Sequence, residues 1–448
     1  MREGERSMSQ DGTTTGRLLG RALRTAGVGA IFGDDLLGVP VVATSSAASA
    51  ALLAGVHARI HGGLAASAHD GLLTVTDGSV LSATTPSPVR VDSPGAIGAL
   101  VPALAHAQTA GMAVVVQLDL DLVAPVDTDV AVATPDVVDG WVEPDADAIG
   151  ALAAARSPIV LAGPGVVRAG AVPGLHAFAA AGRLGVLNTW GAKGVFDWRS
   201  RHHLATAGLQ AEDFTLGGLA DADLIVAVGV DESEAPADRW QPLAPVLGIS
   251  PGEMDPLSQV WSRSGEWPEV PELRTRLAGV TQAGWADERL PLMPTRVTRA
   301  YGAALGDGGL VAADAGVAGY WVARTFATTR LGGAQVPAEV VPGFAVAAAL
   351  VARLRQPSRP VLAVLDAAPE GAALEVLDLA DRLGLGIGVE VWSTDGDRLD
   401  ADAHLARLRQ LATVDRSQVA TLATSPDQLP QMVDAAGPIV AWTSLGLG

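Results

Sequence analysis

Cysteine is absent from the 448 residues. Disulfides, thiolate nucleophiles and cysteine-held metal or iron–sulfur sites are therefore excluded. Lysine occurs once, at Lys193, so a Schiff base or a lysine clamp on phosphate must use that residue or not exist. Charged residues are scarce at 18%, and 30 basic against 49 acidic side chains leave a net charge of −19. That balance argues against a nucleic-acid partner and against an anionic membrane surface. No run of about 18–20 strongly apolar residues occurs, so no membrane span is expected. Residues 1–16 are polar without an apolar core, so no secretory signal is expected and the cytoplasm is the expected compartment.

What is present is ordinary for a folded chain. Nearly half the residues (49%) are apolar, with 52 glycines and 28 prolines to punctuate short elements. The length suits two or three domains. Three blocks of alternating strand and helix emerge. In the first, Arg17–Ala26 reads as a helix, Gly27–Gly33 as turn and buried strand, Ser45–Ile60 as an Ala-rich helix capped by Ser45 or Ser46, and Val114–Leu118 as a strand. The stretch Asp127–Asp147 reads as a surface linker. In the second, strands at Pro158–Ala162, Leu184–Asn188, Leu224–Gly229 and Ala244–Ile249 alternate with glycine turns and a helix over Leu175–Ala181. Pro251–Pro294 reads as a second linker with short helices. In the third, strands are expected at Leu310–Asp314, Val361–Leu365, Ile387–Trp392 and Ile439–Trp442, with helices at Val297–Leu305, Gly343–Leu354 and Ala372–Leu383.

Several stretches invite chemistry and have a structural counter-reading. Gly163-Pro164-Gly165 with Gly170 approaches a dinucleotide-binding turn without its spacing, and Pro164 removes a donor; a tight strand-to-helix turn is the plainer reading. His57 and His61 have metal-ligand spacing on a helix but no accompanying carboxylate. Gly248-Ile249-Ser250-Pro251-Gly252 has nucleophile-elbow spacing, yet Pro251 lacks the N–H an oxyanion hole needs. Asp119–Asp147 reads as a solvated acidic face rather than a calcium loop.

The order of motifs resembles the thiamine-diphosphate-dependent enzymes of the acetolactate-synthase type. Pro158–Gly165, Thr189-Trp190-Gly191-Ala192-Lys193-Gly194-Val195-Phe196, His202-His203-Leu204 with Gly208, and Ala220–Gly229 are similar to that family's central domain. Asp314 with Gly316, the helix from Pro342-Gly343-Phe344, and Asp366 after a strand resemble its diphosphate-binding domain. Ala22–Gly33 resembles the opening of its pyrimidine-binding domain. The resemblance implies three doubly wound parallel-sheet α/β domains: a disordered tail over 1–14, a truncated pyrimidine-like domain over 15–140, a central domain over 141–290 and a diphosphate-like domain over 291–448. It also implies thiamine diphosphate and Mg²⁺ as cofactors, FAD or ADP in the central domain of some members, and pairing of chains as a homodimer or mixed oligomer.

The departures from the family fall on the chemistry. The family's cofactor-activating glutamate would lie near Ser46-Ala47, and no Asp or Glu occurs between Leu36 and His69. A hydroxyl cannot handle the proton as a tuned carboxylate does. A strand–helix segment between Gly63 and Thr74 is missing. The family's Gly-Asp-Gly metal motif reads Leu365-Asp366-Ala367, and its later Asn falls near Ser393-Thr394-Asp395. Asp366 with Thr394 or Asp395 is the cation set that remains. The loop Ala334–Pro342 has lost its glycines and gained Glu339. Gly163, Gly165 and Asp366 are the candidate cofactor contacts, and no catalytic residue is assigned. The leading expectation is a non-catalytic or regulatory paralogue that pairs with an active relative. The alternatives are an active thiamine-diphosphate and Mg²⁺-dependent lyase, decarboxylase or carboligase on a 2-oxo acid, with an acid such as Asp34 or Asp35 recruited, and a nucleotide or CoA-like binder.

Overall fold

The computed structural model describes residues 14–78, 88–110, 113–126, 131–132 and 144–446. Two compact units emerge, one of residues 1–58 with 63–138 and one of residues 59–62 with 139–448. Three mostly parallel sheets carry the architecture.

In the first unit the Thr15–Thr25 helix is capped by Thr14, which accepts the Arg17 N–H, and it buries Leu18, Leu19 and Leu23. The sheet runs β2 (Val42–Ala43), β1 (Val28–Gly33), β3 (Leu64–His69), β4 (Leu72–Thr76), β6 (Val114–Leu118), β5 (Val89–Val91). Strand β4 is antiparallel to both neighbours. It occupies the place where the resemblance implied a lost strand–helix segment: β3 turns back through Asp70-Gly71, with φ of 49° and 75°. Those positive angles suit a tight hairpin, and Asp-Gly is the dipeptide that favours it. Most of the expected linker, and all of the expected tail except Thr14, lie outside the described residues.

The second unit holds two all-parallel sheets. The central one is ordered β11 (Val246–Ile249), β10 (Leu224–Val228), β7 (Pro158–Ala162), β8 (Gly185–Thr189), β9 (His203–Ala207). The other is ordered β13 (Ala334–Gln335), β12 (Leu310–Ala313), β14 (Val361–Leu365), β15 (Gly388–Trp392), β16 (Gln418–Leu422). Every residue of β7, β14 and β15 is buried, as expected of strands covered on both faces. Buried polar contacts tie the sheets together. Arg324 donates to the Asp213 carboxylate at 2.6 and 2.8 Å, and the Tyr320 hydroxyl donates to Gln210 Oε1 at 2.8 Å.

Two expectations are corrected. Pro251–Pro294 is not a linker with short helices only, because Glu272–Ala286 is a helix of 15 residues. Ile439–Trp442 is not a strand. Ile439 makes one isolated bridge to Gln210, and Trp442 has φ of 51°. Its apolar run is buried instead by loop packing, with the Val440 N–H on Leu209 O at 2.9 Å and Trp442 Nε1 on Pro337 O at 3.1 Å. The last strand is β16, whose exposed, mixed residues hide it from a search for buried runs.

A Cβ at Gly71 meets nothing nearer than Leu118 O at 3.7 Å, so its cost is conformational alone. Gly71→Ala should destabilise the first unit by about 1–2 kcal/mol, read as a lower urea midpoint. An unchanged midpoint would show that the turn adapts.

Candidate functional site

In open α/β sheets a ligand crevice forms beyond the carboxyl ends of the strands, where strand order reverses. In the last sheet that point lies between β12 and β14. Asp314 directly follows β12, and Asp366 directly follows β14. Both line a cleft of about 270 Å³ whose rim includes Pro342, Gly343, Leu365 and Ala367.

Each carboxylate is held on a helix N-terminus. Asp314 accepts the Gly343 N–H at 2.8 Å and the Ala345 N–H at 2.6 Å, at the start of the Phe344–Arg355 helix. Asp366 accepts the Ala318 N–H at 2.9 Å, in the first turn of the Val317–Thr325 helix. These unpaired amides and the partial positive charge of the helix end are what an external anion would use. Gly316 permits the second contact, since a Cβ there would lie 2.0 Å from Asp366 Oδ2. Burial outweighs the amide bonds and pushes the Asp314 carboxyl up to about 6, with Asp366 adding to the rise. Asp366 is likewise raised, first by burial.

The other metal candidates stand apart from this cleft. Thr394 and Asp395 lie in the turn after β15, where Asp395 is exposed, and neither lines the cleft. Glu339 lines a neighbouring cavity of about 280 Å³ with Trp190, Glu234 and Trp442. Glu234 itself was not anticipated. It is fully buried and accepts from Thr189 Oγ1 at 2.5 Å, the Gly191 N–H at 2.9 Å and Arg59 at 2.9 Å, with Arg59 belonging to the short segment grouped with this unit. Burial raises its pKa.

The central sheet reverses between β7 and β10. There the Gly163 N–H donates to Val228 O at 2.9 Å and the Gly165 N–H to Gly229 O at 2.8 Å. A Cβ on Gly163 would lie 2.3 Å from Gly229 O, and one on Gly165 would lie 2.7 Å from Gly229 Cα. These glycines let two loops touch backbone to backbone, and their amides are already used.

In the first unit, Ser46 caps the Ala47–His61 helix by accepting the Ser49 N–H at 3.2 Å. Asp34 and Asp70 flank His69 at 3.3 and 3.4 Å, on the exposed edge beyond β1 and β3. Asp35 is exposed nearby. The His57 ring lies tilted against Phe32, and in the second unit His202 bonds Leu184 O at 2.8 Å. His61 lies beside Arg355, and its pKa is lowered first by burial and then by that guanidinium. Ser250 forms a capping box with Glu253, which is a helix-start role rather than a nucleophile's.

The thiamine pyrophosphate enzyme central-domain family model matches residues 146–254, the stretch that folds as the β7–β11 sheet. Over these residues the chain is similar to the central domain of thiamine-diphosphate-dependent enzymes. It resembles the acetolactate synthase of Mycobacterium avium at 26% identity over 131 residues, 29% of this chain and 21% of that protein. The acetolactate synthase large subunit of Corynebacterium glutamicum is 30% identical over 141 residues, 30% of this chain and 22% of the relative. The matches thus span about a fifth of the length of those curated relatives.

A thiamine-diphosphate enzyme needs open amides and a cation where its cofactor's diphosphate lies. Here two carboxylates hold amides of both helix ends at the reversal point, so a diphosphate without a cation would meet like charge there. No helix among the described residues is long and apolar enough to cross a membrane.

Asp314 gives a test of this arrangement. Its folded value of about 6 lies above its unfolded value, which is about 3.9. The folded state therefore keeps the proton longer. The stability this contributes is full below the unfolded value and is lost as pH rises through the folded one. Between pH 5 and 7.5 wild type should lose on the order of 1 kcal/mol more than Asp314→Asn, measured by urea titration at each pH. Parallel losses would show that Asp314 does not titrate there.

Proposed function

We propose that this chain is a non-catalytic member of the family, which keeps the scaffold and has given up the cofactor. The single observation that supports this reading is the pair Asp314 and Asp366, held on the amides a diphosphate would need. Two departures add to it. Ser46, at the position the resemblance gives to the activating carboxylate, is engaged as a helix cap. Leu365 and Ala367 flank Asp366 where the family has glycines. Calorimetric titration with thiamine diphosphate and MgCl₂ should give no saturable heat at ~1 mM ligand, a limit of about −4 kcal/mol. Micromolar binding would overturn the reading.

One observation favours the alternative of an active, Mg²⁺-dependent lyase or carboligase: two hard carboxylate donors face a single cleft. The two readings separate in the same titration. MgCl₂ alone would bind under a cation-site reading, and the cofactor would bind only with the metal under the catalytic one.

The role proposed for the scaffold is assembly, either with itself or with an active acetolactate-synthase-type relative. Co-expression with such a relative should give one complex in size-exclusion chromatography. Separate elution at micromolar concentration would remove the mixed-oligomer half of the proposal.

A further inference from the structure

The chain's one lysine does not stand on the surface. Lys193 is 8% exposed and lines a cavity of about 180 Å³ inside the second unit. Three further basic residues line the same cavity: His203 at the start of β9, Arg274 on the Glu272–Ala286 helix and Arg324 near the end of the Val317–Thr325 helix. Among the described residues, no aspartate or glutamate lines it. In a chain of net charge −19, that concentration of basic residues is against the overall trend.

These groups differ in how far the protein satisfies them. Arg274 donates to His203 O at 2.6 Å and to Trp198 O at 2.8 Å. Arg324 is paired with Asp213 and donates to Thr206 O at 2.8 Å, but its Nε is buried without an acceptor. The Lys193 ammonium has no hydrogen-bond or ion-pair partner among the described residues. Burying an unpaired cation is costly, and proteins normally pair or neutralise such groups. The remaining lining mixes apolar side chains, Trp198, Trp285, Phe326 and Leu277 among them, with the polar Thr206, Thr281, Gln282 and Thr325.

We propose that this cavity is a binding site for a small organic monocarboxylate with a compact apolar body, the carboxylate meeting Lys193, with the buried Arg324 behind it, and the body lying against the tryptophans. The volume sets the size. A cavity of about 150 Å³ accommodates benzene, whereas drug-sized ligands need about 300 Å³ or more. The site is separate from the Asp314–Asp366 cleft, with which it shares no lining residue, and the inference stands whether or not the chain is catalytic.

The electrostatics agree with this occupant. Burial, with Arg324 second, lowers the Lys193 ammonium to about 7. Burial, then Lys193 and Arg274, lowers His203 to about 3, so His203 is neutral near pH 7. The charged groups around Lys193 are thus Arg274, Arg324 with its partner Asp213, and Asp197 with Arg199 beyond His203. A bound carboxylate would favour the ammonium form and raise its pKa.

Because Lys193 is the single lysine, reductive ¹³C-methylation of the whole protein places one side-chain label, resolved from the α-amine by its chemical shift. Sodium benzoate should move that resonance saturably and raise its titration midpoint. Benzamide, which has the same body without charge, and inorganic phosphate, which has charge without body, should leave it in place. No response to benzoate at ~20 mM, or an equal response to benzamide or phosphate, would overturn the proposal. By calorimetry on unmodified protein, Lys193→Met should weaken benzoate at least tenfold, about 1.4 kcal/mol. If that variant does not fold, the wild-type resonance decides the matter alone.

Discussion

A carboxylate on a helix N-terminus is the interaction around which the last sheet is organised. Asp314 bonds the amides of Gly343 and Ala345, and so fixes the start of the buried Phe344–Arg355 helix to the end of β12. Asp366 does the same for the Val317–Thr325 helix from the end of β14. The helices whose dipoles converge on the crevice are thereby satisfied from within the chain. A helix end of this kind can receive an external phosphate, and here side chains of the same sign as that ligand occupy it.

The central sheet closes its own crevice by different means. Gly163 and Gly165 meet Gly229 so closely that no side chain fits between them. Carboxylates in one sheet and backbone contact in the other give the same outcome, an edge whose donors are already engaged. The buried pair Arg324–Asp213 then holds the two sheets of this unit against each other. Arg324 also lines a separate cavity with Lys193, His203 and Arg274, whose walls include Trp198 and Trp285.

The sequence shows most of this fold because parallel strands buried on both faces are short apolar runs, as in Pro158–Ala162 and Val361–Leu365. It hides β16, whose residues are half exposed, and it misleads at Ile439–Trp442, where an apolar run is buried by a loop. The Glu272–Ala286 helix escapes because its apolar positions have weak periodicity. The hairpin at Asp70-Gly71 was not expected, although its turn dipeptide is a local signal for one. Asp366 stands out in sequence as a relic of a metal motif, but its bond to Ala318 does not, since 48 residues separate them. Asp314 and Gly343 are 29 apart, and Lys193 and Arg324 are further still. Contacts at such separations are written in topology, and no local spacing announces them.

The self-supplied carboxylates also change what keeps the protein abundant. A ligand that binds only the native state at a hundred times its dissociation constant adds about 2.7 kcal/mol of stability, so apo forms of cofactor-dependent proteins are the fraction most open to proteolysis. Here the anions that cap both helices are covalently part of the polypeptide. If the cofactor has been given up, as proposed, the folded population no longer depends on vitamin supply, whereas that of a cofactor-requiring relative does.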